Sequence, residues 1–236
     1  MEQRGTAEKR RILCYGDSLT WGWVPMDNAV PTHRYPFEQR WTGVMAAELG
    51  DGYEIVEEAL SGRTTAVDDP TDPRLNGASY LPSALASHLP LDLVIILLGS
   101  NDTKVYFDRT PFEIAAGMSV LIDQVAKSMG GVGTAYPAPQ VLLVAPPPLG
   151  RMQHAWFAEL FRGGLEKSAE LARHYEALAT FLGIPFVNAG QIMTTGGVDG
   201  IHFTAENNEA LGKALAREVE ALALGGGAPA GPHTAS

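Results

Sequence analysis

Leu93-Val94-Ile95-Ile96-Leu97-Leu98, stopped by Gly99, is apolar at every position. A strand wetted on one side alternates apolar and polar residues. A run without alternation therefore predicts a strand covered on both faces, at the centre of a parallel sheet. Outward from it, further β-rich runs at Arg11 to Tyr15, Tyr53 to Val56, Val141 to Ala145 and Pro185 to Val187 are separated by longer segments of helical period. Phe37, Trp41, Val44, Met45 and Leu49 fall on one helical stripe, ended by Gly50 and Gly52; Ile114, Met118, Leu121, Ile122, Val125 and Met129 form a second. A last helix is expected to begin with Thr204 as N-cap and to turn Leu211, Leu215, Val219 and Leu222 inward. Strands alternating with helices predict an α/β fold, a three-layer α/β/α sandwich around a five-stranded parallel sheet.

The chain has 236 residues, 45% of them hydrophobic, enough for the core of one such domain, expected over 11–224. Residues 1–10 read as a flexible N-terminus, and the Gly-Gly-Gly-Ala-Pro-Ala-Gly-Pro-His-Thr-Ala-Ser run at 225–236 as a disordered tail with nothing to bury. Lys and Arg number 17 against 27 Asp and Glu, a net charge of -10 with no basic cluster, which argues against nucleic acid as a partner. The longest apolar stretch ends at Leu98, far short of the roughly 20 residues a spanning helix needs, so no membrane partner is expected. The single cysteine, Cys14, rules out an intrachain disulfide, and no apolar run near the start reads as a signal peptide; both point to the cytoplasm.

Ligands of doubly wound sheets bind outside the carboxyl ends of the strands, so the residues following each strand are the ones to search. Gly16-Asp17-Ser18-Leu19-Thr20 follows the first strand and presents a hydroxyl at a sharp turn; taken alone, Ser18 is better explained as a cap of the next helix than as a nucleophile. Asp17 beside it reads as a turn-stabilising carboxylate and Lys104 as a solvated charge. Val198-Asp199-Gly200-Ile201-His202-Phe203 delivers a carboxylate and an imidazole three positions apart, although an isolated pair of this kind is more often a turn Asp and a surface His. A serine hydroxyl needs a base to take its proton, and the base needs a carboxylate to fix its tautomer. Gly62, in Ser61-Gly62-Arg63-Thr64, can bring a backbone N–H close to a ligand, and Asn101, in Gly99-Ser100-Asn101-Asp102, can point an amide at the same place. A turn glycine and an Asx-turn are the plain readings of those two. Together the four segments supply a nucleophile, a base with its orienter, and two oxyanion donors at one edge of a sheet. Two long connections, Ser61 to Tyr80 and Pro146 to His154, add candidate functional loops.

Gly16-Asp17-Ser18-Leu19, Gly62, Gly99-x-Asn101-Asp102 and Asp199-x-x-His202 resemble, in order, the sequence blocks of the SGNH or GDSL-type serine hydrolases, over Arg11 to about Leu224. The resemblance implies a flavodoxin-like SGNH hydrolase fold, with Ser18 as nucleophile, Asp199 and His202 completing the triad, and an oxyanion hole of Ser18, Gly62 and Asn101. The stretches Cys14 to Pro25 and Asp68 to Pro82 are similar to the mycobacterial-type branch of promiscuous acyltransferases, arylesterases and perhydrolases, although the acyltransferase it most resembles carries Ala where Gly62, the residue typical of the wider family, stands. It implies small acyl groups passed to water, alcohols or hydrogen peroxide, with small esters and alcohols as substrates, no cofactor, no metal, and a homo-oligomer, an octamer by resemblance. Trp21 and Trp23, close to Ser18, would form apolar walls that disfavour water, with ordinary core packing the equal alternative; Trp23 and Ile201 are the expected substrate-binding residues. The stiff Asp68 to Pro82 loop would either reach a neighbouring subunit or fold over its own.

The absence of a Gly-x-Ser-x-Gly elbow, a P-loop and a His-Glu-x-x-His motif sets aside the common α/β-hydrolase, NTPase and zincin layouts. Two rivals remain. One is a carbohydrate O-acetyl esterase on the same fold; the other is a flavodoxin-like module that binds a phosphate-bearing ligand without catalysis.

Overall fold

The computed structural model describes residues 9–28, 30–222 and 224. Parallel strands β1 (Arg10–Gly16), β2 (Tyr53–Ala59), β3 (Leu93–Leu97), β4 (Gln140–Ala145) and β5 (Phe186–Asn188) form one sheet in the order β2-β1-β3-β4-β5. The helices are α1 (Ser18–Trp21), α2 (Trp41–Leu49), α3 (Gly77–His88), α4 (Pro111–Ala126), α5 (Ala155–Leu160), α6 (Gly164–Leu182), α7 (Ala189–Ile192) and α8 (Ala205–Ala221). The expected three-layer α/β/α sandwich is what the chain forms.

β3 is central, and all five of its side chains are fully buried. Val94 and Ile96 point into one core, shared with Leu13, Tyr15, Leu143 and the inner faces of α3, α4 and α6. Leu93, Ile95 and Leu97 point into the other, shared with Ile12, Cys14, Leu142 and the inner faces of α2 and α8. Each such buried aliphatic side chain contributes about 1.5–3 kcal/mol, which explains why the strand carries no polar residue on either face. β1 begins at Arg10, one residue earlier than expected. Residues 1–8 and the 225–236 segment, expected to be flexible and disordered, lie outside the described residues.

Several expectations are refined. In the first helical stripe only Trp41 and Met45 are fully buried, because Phe37 sits in a separate 3-10 turn before α2. Met129 lies beyond the end of α4 and is exposed. Part of the Ser61 to Tyr80 loop is helical: Asn76 caps α3 by accepting from Ala78 N and Ser79 N. Pro82 sits inside that helix, and the Ala78 carbonyl it leaves without a helical donor accepts from Gln124 Nε2 of α4 at 2.9 Å. The Asp68 to Pro82 segment is tied locally, with Thr64 N donating to Leu75 O and Asn76 Nδ2 to Asp68 Oδ1. The Pro146 to His154 connection has no helix or strand, as expected.

Candidate active site

Register aligns the carboxyl ends of the strands. Gly16 pairs with Ala59 on one side and with Leu97 on the other, so the residues that follow β1, β2 and β3 emerge side by side. Gly16 is required there by close approach rather than by a left-handed backbone, since a Cβ would run into the Thr20 side chain. Asp17 Oδ1 then accepts from Leu19 N at 2.9 Å, starting α1 with Ser18 as its first residue. The cap is therefore Asp17 and not Ser18, which stands next to it as the first residue of the helix with its hydroxyl free of the capping role.

On the far side, Asp199 Oδ1 accepts from Ile201 N and His202 N, both at 2.9 Å. Its other oxygen, Oδ2, accepts a hydrogen bond from His202 Nδ1 at 2.7 Å, leaving Nε2 as the acceptor for the Ser18 hydroxyl at 2.9 Å. All three side chains are buried. Burial pushes the Asp199 carboxyl up, but the imidazole and the two N–H groups outweigh it and hold the group below its ordinary value. The Trp23 ring stacks on His202, centroids 4.7 Å apart and planes 13° from parallel. Thr204, immediately beyond, caps α8 with a reciprocal bond to Asn207, so a rigid helix start holds the histidine loop.

Gly62 has φ +90, a conformation L side chains rarely adopt. Among the described residues no backbone acceptor engages its N–H or that of Ser18. Asn101 opens a 3-10 turn after β3, and its Nδ2 donates to Asp17 Oδ2 at 3.0 Å. One amide hydrogen is thereby committed, and the other remains for a ligand. Burial pushes the Asp17 carboxyl up to about 7, against the lowering effect of the Leu19 N–H and the Asn101 amide. The adjacent Asp102, buried and accepting from Thr65 N and Oγ1, is pushed up to about 6 for the same reason.

These groups share a cavity of about 180 Å³. Ser18, His202, Gly62 and Asn101 border it, with Trp23, Ile201, Phe157, Leu160 and Phe161 as an apolar wall. Every sequence-predicted site residue except Asp199 lines it, and Asp199 stands behind His202; Trp21 does not line it. Phe157, Leu160 and Phe161 had no signal in the sequence, because only the packing of α5 against Leu149, Met152 and Ile201 brings them over the site. Lys104 corrects an expectation. It is buried rather than solvated, lines the cavity, and pairs with Asp69 at 3.1 Å, whose carboxylate also accepts from Tyr106 and Thr71.

The sequence matches the model of the GDSL-like lipase/acylhydrolase family over residues 14–210. The chain belongs to that family. Among solved structures, the aryl esterase of M. smegmatis is 64% identical, over 90% of this chain and 99% of that one, with a TM-score of 0.89. A carbohydrate acetylesterase from Sinorhizobium meliloti is 63% identical with the same coverage and TM-score. A further carbohydrate acetylesterase family member from the same organism is 39% identical over 90% and 98% of the two chains, with a TM-score of 0.83. No curated protein gives a significant match. As a GDSL-like acylhydrolase, the protein is a carboxylic ester hydrolase, which sets aside the non-catalytic binding module.

Proposed function

We propose that this esterase works through an acyl-Ser18 intermediate, with His202 as general base and acid, Asp199 as its orienter, and Ser18 N–H, Gly62 N–H and the Asn101 amide as the oxyanion hole. The observation that carries the reading is the unbroken chain from Ser18 Oγ to His202 Nε2 at 2.9 Å and from His202 Nδ1 to Asp199 Oδ2 at 2.7 Å. Oγ attacks the ester carbonyl as Nε2 takes its proton, and the negative oxygen that develops is met by the three donors. His202 returns the proton to the leaving alcohol. An incoming water or alcohol then repeats the steps in reverse order of roles and releases the acyl group as acid or new ester.

The substrate class follows from size and lining. A cavity of about 180 Å³ suits an acetyl-sized acyl group, and its apolar wall of Trp23, Phe157, Leu160, Phe161 and Ile201 favours an alcohol over bulk water as acceptor, while hydrogen peroxide as a further acceptor rests on the family resemblance alone. The carbohydrate acetylesterase relative agrees with an acetyl-sized acyl group, and the aryl esterase with ester cleavage. The first of them also keeps a carbohydrate O-acetyl esterase as the alternative reading. The same proposal places the protein in the cytoplasm, which the free, buried Cys14 suits, with neither lipid nor nucleic acid as partner, the latter disfavoured by a net charge of -10. A homo-oligomer, an octamer by the family resemblance, belongs to the same proposal. Sedimentation should give a species several times the 25.2 kDa subunit, and a monomer at working concentration removes the oligomer.

The decisive assay is p-nitrophenyl acetate turnover by the wild type and Ser18→Ala, with and without a primary alcohol, separating ester from free acid. The proposal expects Ser18→Ala to be inactive and modest alcohol to divert product to ester. Hydrolysis alone would favour the acetylesterase alternative, and a fully active Ser18→Ala would remove the nucleophile.

A further inference from the structure

The Asn101 amide can serve an oxyanion only if its nitrogen, not its oxygen, faces the reacting carbonyl. Amide nitrogen and oxygen are close to isosteric, so a half-turn of the side chain would exchange a donor for a repelling lone pair with little steric cost. We propose that Asp17 is the positioning residue that forbids this half-turn, and that it thereby sets the third donor of the oxyanion hole. The inference rests on the proposed role of Asn101.

The geometry is local and complete. Asp17 is buried beneath the site, 1% exposed, and its Oδ2 lies 3.0 Å from Asn101 Nδ2. An ionised carboxylate accepts and never donates, so only the nitrogen end of the amide is tolerated beside it. The amide group is planar with its two hydrogens about 120° apart, so holding one fixes the direction of the other. Asn101 also borders the cavity that holds Ser18. The carboxylate is itself immobilised, because Oδ1 accepts from Leu19 N at 2.9 Å. That bond caps the helix whose first residue is Ser18, so the nucleophile and the side-chain donor are referenced to a single turn. The charged groups that act on Asp17 are Asp102 and the Arg63 guanidinium, and neither makes a hydrogen bond to it among the described residues.

Two variants separate the anchor from the cap. In Asp17→Asn the new amide must turn an N–H toward either Leu19 N–H or Asn101 Nδ2, so one contact fails. In Asp17→Ser the hydroxyl can still cap α1 but is too short to reach Asn101. kcat and KM for p-nitrophenyl acetate are measured for each variant alone and combined with Asn101→Ala, with thermal melts to establish folding. The expected result is a kcat loss of roughly tenfold to a hundredfold in both single variants, with KM changed less than about twofold. On the Asn101→Ala background the same substitutions should cost less than about threefold more, since nothing remains to be positioned. Equal losses in both backgrounds, or wild-type kcat in a folded Asp17→Ser, overturn the inference. Wild-type kcat in Asn101→Ala alone would remove Asn101 from the site and take the positioning role with it, while leaving Ser18 and His202 untouched.

Discussion

Trp23 faces two ways: its ring lies flat on His202, and it also walls the cavity. The stack covers one face of the imidazole, whose hydrogen bonds at Nδ1 and Nε2 lie in the ring plane, and in the proposed mechanism the wall keeps water from the acyl-enzyme. Trp23→Ala removes both effects. Turnover of p-nitrophenyl acetate should fall, and in the presence of alcohol the ester-to-acid product ratio should fall further, because water gains access that the alcohol does not need. An unchanged product ratio would show that water exclusion lies elsewhere on the wall. Residues of this kind were legible where sequence position alone determines what they do. Ser18, Gly62, Asn101, Asp199 and His202 each follow a strand or precede a helix start, and the structure brings them together at one edge. Lys104 was misjudged, and Asp17, although its turn-stabilising part held, showed no sign of its bond to Asn101, because both contacts depend on partners far along the chain. Asp69 lies on the loop after β2 and Asn101 follows β3, and no local pattern encodes either pairing.

Among the elements, the histidine loop depends most on α8. Thr204 Oγ1 accepts from Asn207 N, and the Asn207 side chain returns a bond to Thr204 N. Thr204→Ala breaks the reciprocal cap two residues from His202 and should cost about 1 kcal/mol of stability. Activity should remain near wild type at low temperature and fail earlier on heating; a melting temperature equal to wild type would mean that α8 is held by its packed face of Leu211, Leu215 and Val219 alone. That face, the Thr204 cap and the unalternating β3 were readable because each is a local pattern with one physical cause. α3 was hidden by Pro82, which marks a loop unless a distant donor such as Gln124 replaces the missing helical bond. The cover that α5 gives the cavity was equally hidden, since Phe157, Leu160 and Phe161 gain their place from tertiary packing.

At the scale of the molecule, the site sets a conflict between stability and activity. Asp17 and Asp102 are buried carboxyls pushed up from an ordinary 3.8 to about 7 and about 6. Between pH 4 and 7 the folded chain therefore keeps protons that the unfolded chain has shed, and stability must fall as pH rises through that window. The acidic excess, a net charge of -10 at pH 7, adds self-repulsion in the same direction. Asp199 works the other way at lower pH: held below its ordinary value, it contributes stability that is lost as pH drops through its folded-state titration. The melting temperature should thus peak on the acid side of neutrality and decline toward pH 7, whereas the anchoring of Asn101 requires Asp17 ionised and so favours activity at the upper end. Calorimetric melts of wild type and Asp17→Asn from pH 4.5 to 8 test the origin of the decline. The variant cannot ionise at this position, so its melting temperature should gain on wild type as pH rises. Parallel curves would mean that Asp17 pays no ionisation cost in the folded state and that the decline belongs to Asp102 and the surface charge.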